Sequence, residues 1–279
     1  MNEQNMSGGS KYVLDNELAK IMDVSITLEM PLLLKGEPGT GKTMLAHAIA
    51  ENLEMPLIVL NVKSSMKAVD SLYHYDTLTR LNDSRFGDSE RDVSKINEYI
   101  RMGKIGMAFT SMEKVVLLID EIDKADTDFQ DDLLDILDQM QFDVIETDET
   151  VRAQKRPVII ITSNSKKNLS DPFLGRCNFH HIAFPDPKMM RKIINVHFPE
   201  LDENLAKYAI STFYRLREID GVEKRPATRE LINWVRALKA DPDFKSSGLI
   251  RDEVPFLGVL FKKSLDYTKA ASLYNQDKG

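Results

Sequence analysis

Cysteine is almost absent from this sequence, since Cys177 is the single thiol among 279 residues. A lone cysteine excludes a disulfide within the chain and argues against a zinc site built from cysteines. Long hydrophobic runs are also missing, and no stretch approaches the roughly 20 apolar residues that cross a bilayer. Residues 1–17 lack the basic-then-apolar pattern of a signal peptide. These absences predict a cytoplasmic protein with no membrane partner.

Positive charge is in short supply as well. The 37 Lys and Arg residues are outnumbered by 44 Asp and Glu residues, which gives a formal net charge of −7. The chain has no long Lys/Arg block, and broad contact with nucleic acid phosphates is therefore disfavoured. A local basic pore is still compatible with this composition. With 42% hydrophobic residues, the chain can build one large domain or two modest ones.

The most informative stretch is LLLKGEPGTGKT, which begins at Leu32 and ends at Thr43. Its second part matches G-x-x-x-x-G-K-[ST]. The match follows a short apolar run and precedes a helical pattern, which is the setting of a phosphate-binding loop. Backbone N–H groups of such a loop point at a β-phosphate, and the helix dipole adds to the attraction. The alternative is a chance glycine turn before an ordinary helix, and the flanking strand and helix weigh against it.

The match also assigns expected roles within the loop. Lys42 is expected to reach the β- and γ-phosphates, and the Thr43 hydroxyl to ligate Mg²⁺. The predicted nucleotide-binding residues of the loop and of the helix that follows are Gly36, Glu37, Pro38, Gly39, Thr40, Gly41, Lys42, Thr43 and Met44.

Two carboxylates end the strongest predicted strand, the unbroken apolar run 115–119. Such a run indicates a central parallel strand that is covered on both faces. Ligands of open parallel sheets bind at the carboxyl ends of the strands. Asp120 is therefore predicted as a Mg²⁺ carboxylate, and Glu121 as the base that orients the attacking water. A solvated acidic turn is the alternative.

A second polar strand end follows the apolar run 158–162, where Asn164 comes two residues later. Its amide could hold the attacking water near the γ-phosphate. An ordinary asparagine turn is the competing interpretation. Between these two strands, residues 142–152 read as a short hairpin.

The pattern of the chain changes near residue 186. Up to that point strands and helices alternate, which predicts a parallel sheet with right-handed crossovers. Afterwards only helical patterns occur, at 189–197, 205–218, 228–239 and 255–265. We predict a disordered start over 1–10, an α/β domain over 11–186 and a helical domain over 187–279.

The region 62–111 is less regular. It predicts a helix at 96–102 and a turn at 103–106, and it places Tyr73, Tyr75 and Phe86 in the core. An insertion here would lie at the functional edge of the sheet and form a candidate partner surface. Simple packing and loops are an equal alternative.

The chain resembles the AAA+ ATPases in the order of its motifs. These are the phosphate loop, LLIDE, the hairpin, ITSN, an arginine before the last strand and the later Pro-Ala-Thr-Arg run. Within them the chain resembles the MoxR family. The stretches VKSSMK (62–67) and RCNFHHIAFPD (176–186) look like its CoxD-like branch. The resemblance covers about residues 15–272. It implies an AAA+ module, in which helices sandwich a parallel P-loop sheet and a small all-helical lid domain follows.

The resemblance carries over to particular residues. It implies that Asp120 and Glu121 are the Walker B pair, that Asn164 is sensor 1 and that Arg176 is an arginine finger for a neighbouring subunit. Arg229 is the best match for sensor 2, and Arg225 is its rival. The hairpin matches the insertion that helps line such rings. One departure is that many relatives carry paired arginines before the last strand, whereas the first position here is Gly175.

These matches imply an ATPase that uses ATP and Mg²⁺ and works as a homo-oligomer, expected to be a hexameric ring. Its function would be to remodel or activate a protein client in enzyme or metal-cofactor maturation, with a von Willebrand A domain protein as a possible partner. A nucleic acid motor and a nucleotide-dependent scaffold with little turnover are the alternatives. Net charge disfavours the first, and the intact Glu121 and Arg176 argue against the second.

His180, His181 and Cys177 receive no functional role. The two histidines are expected on opposite faces of the last strand without a third ligand, so packing or surface positions are favoured. The cysteine is predicted to be a small buried hydrophobic residue.

Overall fold

The computed structural model describes residues 12–13, 16–87, 91–164, 169–241 and 254–276. The predicted disordered start, 1–10, lies outside these ranges. The chain divides into two compact units. The first holds the described residues within 16–36 and 42–182. The second holds residues 12–13, the loop segment 37–41 and the described residues from Ala183 onward. No helix among the described residues is long and apolar enough to span a membrane.

A five-stranded sheet forms the centre of the first unit. Its strands are β1 (Leu32–Gly36), β2 (Leu57–Asn61), β5 (Val116–Asp120), β8 (Val158–Ser163) and β9 (Asn178–Ile182). They pair in the order β2-β5-β8-β1-β9, and every pairing is parallel. The predicted parallel sheet is therefore confirmed. Its central strands are buried along their length because helices cover them.

The remaining elements of the first unit flank or extend this sheet. The helices are α1 (Asn16–Thr27), α2 (Lys42–Asn52), α3 (Ala68–Leu72), α4 (Thr77–Phe86), α5 (Lys104–Thr110), α6 (Thr127–Gln139) and α7 (Asp171–Gly175). Two small antiparallel pairs are β3 (Tyr73–Tyr75) with β4 (Ile100–Met102), and β6 (Gln141–Val144) with β7 (Glu149–Arg152). The second pair is the predicted hairpin.

The second unit is helical among its described residues. Its helices are α8 (Pro187–His197), α9 (Glu203–Arg217), α10 (Thr228–Ala240), α11 (Leu257–Leu260) and α12 (Ser264–Gln276). They enclose their own core around Trp234, which is fully buried and donates its indole N–H to the Pro255 carbonyl at 2.6 Å. The predicted single helix 255–265 is wrong, because α11 ends at Leu260 and α12 begins at Ser264.

Aspartates begin several of these helices. The side chains of Asp126, Asp186 and Asp202 each accept a hydrogen bond from the backbone N–H three positions later, at 2.9, 2.7 and 2.9 Å. Each carboxylate satisfies one free donor at a helix start and complements the positive end of the helix dipole. The α/β-to-helical change is thus marked locally by Asp186 and Pro187, which occupy the N-cap and first position of α8.

The region 62–111 departs from the sequence prediction. Residues 96–99 form a 3₁₀ turn and 100–102 a strand, not one helix. The predicted turn at 103–106 is instead the start of α5. A Cβ at Gly103 would lie 2.5 Å from the Ser71 carbonyl carbon, and one at Gly106 would lie 2.1 Å from the Leu72 carbonyl oxygen. These glycines therefore permit close packing of α5 on α3, and they do not mark a turn.

The aromatic residues of this region also divide. Tyr73 is buried, as predicted, and its ring stacks on Phe142 of the hairpin at 6.2 Å between centroids. Phe86 was predicted in the core and is 73% exposed at the end of α4. The prediction for Phe86 is wrong because α4 buries none of its residues.

Candidate active site

Three neighbouring strands end at one edge of the sheet. β1 ends at Gly36, β5 at Asp120 and β8 at Ser163, and β8 lies between the other two. Because the strands are parallel, the segments that follow them meet at this edge. Within the first unit, the structure thereby brings together Glu121, Asn164 and the two ends of the phosphate loop, Gly36 and Lys42.

The loop itself has the backbone of an anion-binding turn. Gly39 and Gly41 have φ values of 82° and 94°, which residues with a side chain rarely adopt. The Thr40 hydroxyl donates to the Glu37 carbonyl at 3.0 Å and closes the loop from within. The buried Lys42 amine donates to the Gly36 carbonyl at 2.9 Å. The ammonium group is therefore held against the loop that it is expected to serve.

Asp120 receives hydroxyl groups from two neighbouring elements. Thr43 Oγ1, on the first turn of α2, lies 3.2 and 3.1 Å from the two oxygens of Asp120. Thr162 Oγ1, on β8, donates to Oδ1 of Asp120 at 2.5 Å. A hydroxyl beside a carboxylate is the oxygen donor set that Mg²⁺ prefers. The side chains of Thr43 and Asp120 thus fit the metal predicted for them.

The backbone of Glu121 is left-handed, with φ 61° and ψ 49°. For a residue with a side chain this conformation costs on the order of 1–3 kcal/mol and recurs at functional sites. The Glu121 N–H donates to Thr162 Oγ1 at 2.8 Å. One buried hydroxyl, that of Thr162, therefore accepts from Glu121 and donates to Asp120.

The Glu121 carboxylate is bonded at both oxygens. Asn164 Nδ2 donates to Oε1 at 3.0 Å, and Lys124 Nζ pairs with Oε2. The hydrogen bond to Glu121 is the main reason that the pKa of Lys124 is raised above its ordinary value. The Asn164 N–H donates in turn to the buried Asp123 carboxylate at 3.0 Å. Residue 164 is thus fixed at its backbone while its amide holds Glu121.

Similarity to known proteins agrees with this arrangement. The model of the ATPase family associated with various cellular activities (AAA) matches residues 32–185, more than half of the 279-residue chain. The chain belongs to the AAA ATPase family. Membership supports ATP hydrolysis in general terms, and the finer MoxR assignment stays a prediction.

Two curated relatives match over about half of this AAA chain. The 26S proteasome regulatory subunit 10B of Dictyostelium discoideum is 30% identical over 149 residues, 49% of this chain and 32% of the relative. The Lon protease of Mycoplasma mobile is 31% identical over 152 residues, 52% of this chain and 16% of the relative. The chain therefore spans far less than the full length of these relatives.

Among solved structures, a mutant of the Thermotoga maritima protein RuvB is similar with a TM-score of 0.50 at 19% identity. The similarity covers 80% of this chain and 59% of that one. At this identity it concerns the fold alone. It agrees with the AAA+ fold class predicted from the sequence.

Arg176, the predicted arginine finger, lies directly after α7. Its Nε pairs with Asp138 of α6, and its Nη1 donates to the Pro172 carbonyl at 3.3 Å. The side chain is 43% exposed. Within the part of the chain that the structure describes, its recorded partners are these two groups and not Asp120 or Glu121. The preceding Gly175 has no atom within 4 Å of a Cβ built on it.

Both candidates for the second sensor lie in the helical unit. Arg229 is the second residue of α10, and Arg225 lies three residues before that helix; both are exposed. Their roles stay predictions. His180 and His181 alternate between the two sides of β9, half-buried and exposed.

Sequence reasoning missed two residues that orient this AAA site. Thr162 was read only as part of an apolar strand, and Lys124 was given no role. A hydroxyl residue at the end of a strand beside two carboxylates is a signal for Thr162 that the ITSN run contained. For Lys124 the signal is weaker, because a lysine three residues after a carboxylate is common on any turn or helix.

Proposed function

We propose that this chain is a Mg²⁺-dependent ATPase that remodels or activates a protein client as part of a homo-oligomeric ring. The observation that carries the proposal is the meeting of three groups at one sheet edge. A glycine loop with a buried lysine, the Thr43–Asp120 pair and the Glu121–Asn164 pair lie at the ends of adjacent strands. That combination supplies phosphate binding, metal ligation and water activation.

Each group has a separate task in the proposed reaction. The loop N–H groups and Lys42 hold the phosphates of ATP. Thr43 and Asp120 hold Mg²⁺, directly or through water. When bound, the metal neutralises the charge of the phosphate oxygens. The chain needs no covalent intermediate for this chemistry, because positioning and electrostatic stabilisation account for most phosphoryl-transfer catalysis.

Glu121 acts on the attacking water. Its carboxylate orients the water and accepts a proton, while the amide of Asn164 holds Oε1 in place. The left-handed backbone aims the side chain, and the Thr162 hydroxyl maintains that backbone through the Glu121 N–H. Lys124 pairs with the second oxygen, Oε2, in the structure.

The ring is proposed because no arginine is recorded at Asp120, Glu121 or Asn164 among the residues that the structure describes. An arginine at the γ-phosphate is worth about 10³–10⁵ in rate, or roughly 4–7 kcal/mol of barrier. Among the described contacts, Arg176 pairs with Asp138 and does not reach the carboxylates of its own sheet edge. We therefore propose that Arg176 completes the site of a neighbouring subunit and that the ring is hexameric.

A protein client is favoured over nucleic acid. The curated relatives named above are a proteasome regulatory subunit and a protease, and the formal charge of −7 disfavours broad phosphate contact. Within this class we propose a MoxR-type, CoxD-like factor for enzyme or metal-cofactor maturation, with a von Willebrand A domain protein as a partner. The support for this branch is the two sequence stretches 62–67 and 176–186.

The experiment has two parts. Phosphate release is measured for the wild-type chain with Mg²⁺ and ATP over a range of protein concentrations, beside Glu121→Gln. We expect turnover that rises more than linearly with concentration and that Glu121→Gln abolishes. Absence of turnover at the highest concentration contradicts the ATPase proposal. A pull-down with Glu121→Gln in ATP should retain a protein; retention of DNA or RNA alone, with salt-dependent sub-micromolar binding, contradicts the client class.

A further inference from the structure

The tip of the phosphate loop, residues 37–41, belongs to the helical unit. Gly39 packs so closely there that a Cβ on it would lie 2.4 Å from Cβ of Ala227. Gly41 lies beside the Tyr12 ring, with 3.1 Å between Cε2 and a Cβ built on the glycine. Glu37 makes an ion pair in which Oε2 lies 3.1 Å from Arg217 Nη2 on α9. The loop that binds phosphate is thus anchored by residues far along the chain.

Arg217 is held firmly on its other sides. It is 8% exposed, its guanidinium lies 3.5 Å from the centroid of the Phe184 ring, and Nη1 donates to the Pro226 carbonyl. Burial lowers the pKa of Arg217, and the hydrogen bond to Glu37 acts in the opposite direction. A planar guanidinium that stacks on a ring and donates from two nitrogens has little freedom. It can therefore fix the position of a partner that is itself 59% exposed.

The partner is an unexpected residue for an anion-binding loop. A carboxylate next to a triphosphate is repelled by it, and the repulsion is strong where water is excluded. Glu37 directly follows Gly36 and lies five residues before Lys42. The ion pair with the buried Arg217 offsets the negative charge of Glu37 and directs its side chain toward the end of α9.

We infer that Arg217 is a positioning residue for nucleotide binding: it neutralises Glu37 and holds the tip of the phosphate loop in its binding conformation. The inference rests on the proposed ATPase function and deepens it. Arg217 acts through Glu37, and it is not a catalytic residue. Its loss should weaken the affinity for ATP while the rate at saturating ATP changes less, because Glu121 and Asn164 lie in the other unit.

The test is a double-substitution cycle read by equilibrium binding of a fluorescent ATP analogue to the full chain with Mg²⁺. Arg217→Met should weaken binding at least tenfold, because it removes the buried cation that pairs with Glu37 near the phosphates. Glu37→Gln alone is the reference for the cycle, because Glu37 is itself part of the phosphate loop and any loss of its own contribution must be measured separately. The double variant should bind the ATP analogue at least threefold more tightly than Arg217→Met does. In steady-state kinetics, the KM values of these variants should follow the same order as their binding affinities. Their kcat values should stay within about threefold of wild type.

A purely structural role for Arg217 gives a different result. In that case Glu37→Gln does not restore binding to Arg217→Met, and that outcome overturns the inference. Arg236→Met is the matched control, since Arg236 is an exposed arginine of the same unit that donates to Asn233 on its own helix; it should bind as wild type does.

Folding is checked by circular dichroism. If Arg217→Met does not fold, Arg217→Lys replaces it in the cycle. A lysine keeps the charge but cannot stack and donate to both partners, so binding should still fall at least threefold, and unchanged binding overturns the inference. A wild-type chain that binds no nucleotide overturns the proposed function and this inference together. A wild-type chain that binds normally, with no coupling between positions 37 and 217, overturns the inference alone.

Discussion

Nδ2 of Asn164 lies 3.0 Å from Oε1 of Glu121 and donates a hydrogen bond to it. The two residues directly follow different strands, β5 and β8, and lie 43 positions apart in sequence. An amide that holds one oxygen of a carboxylate fixes its direction without changing its charge. The proposed base of this AAA ATPase is thus positioned by the next strand of the sheet.

Asn164→Ala should slow turnover. Without the amide, the Glu121 carboxylate loses one of the two contacts that orient it. We expect kcat to fall by about 10–100-fold, at or below the lower end of the roughly 10²–10⁴-fold that general acid–base catalysis contributes, because the base itself is still present. ATP binding should stay within about threefold of wild type. Phosphate release and equilibrium binding give the two quantities. Equal losses in both would show that Asn164 serves nucleotide binding and not the base.

Thr162→Val should impair the site through its hydroxyl alone. Valine has nearly the same shape, but it cannot donate to Asp120 or accept from the Glu121 N–H. A buried polar group left without a partner costs about 1–3 kcal/mol, so the melting temperature should fall by several degrees and kcat should drop at least tenfold.

Thr162→Ser is the matched control for that prediction. Serine keeps the hydroxyl and loses only a methyl group, and it should retain most of the activity. Equal activity of the valine and serine variants would mean that the hydroxyl is not needed. Calorimetry and phosphate release measure the two effects.

The arrangement of the sheet edge could be predicted from sequence because it depends on local signals. Unbroken apolar runs predict parallel strands, and parallel strands place their carboxyl ends together. The proximity of Asp120, Glu121 and Asn164 follows from that rule and from the strand order. The strand order itself, β2-β5-β8-β1-β9, was not predicted from the sequence and is a finding of the structure.

Other features depend on long-range packing that leaves no local pattern. The pair formed by Glu37 and Arg217 joins residues 180 positions apart. Glu37 lies in the phosphate-loop motif, but nothing in the sequence marks Arg217 as its partner. Gly103 and Gly106 looked like a turn, but they are glycines because α5 packs against backbone atoms of Ser71 and Leu72. A glycine pattern alone cannot separate these two causes.

The single thiol provides a prediction about pH. Burial raises the pKa of Cys177 to about 12, and the nearby Asp138 carboxylate adds to the shift. The thiolate is the reactive form. Compared with the ordinary value of 9.0, the folded chain at pH 8 therefore holds about a thousandfold less thiolate.

Labelling with a thiol reagent should be slow at pH 8 in the folded protein and fast after unfolding in guanidinium. In the folded state the rate should keep rising as pH approaches 12, since the thiolate fraction grows until the pKa is reached. Equal rates for folded and unfolded chains at pH 8 would contradict the burial of this group. Because Cys177 adjoins Arg176, faster labelling with ATP would also report movement of that segment.

Mixed rings test whether Arg176 acts on a neighbour. Arg176→Ala removes the proposed finger, and Glu121→Gln removes the proposed base, so each variant alone should be nearly inactive. In a mixed ring, an Arg176→Ala subunit keeps its own base and can receive an intact arginine from a Glu121→Gln neighbour. At equal mixing about a quarter of the sites are complete, and phosphate release should recover to a comparable fraction of wild type.

The control for that experiment mixes two defects of the same half-site. Thr43→Ala and Glu121→Gln both change the chain that supplies the loop and the base, so no arrangement of these subunits makes a complete site. Their mixture should stay inactive under the conditions that restore the first pair. If Arg176 served its own subunit, the first mixture would stay inactive too at every ratio, because each chain would lack either its base or its arginine. The ion pair with Asp138 makes the trans arrangement physically reasonable, since a partly exposed pair is weak enough to exchange for a phosphate at a subunit boundary.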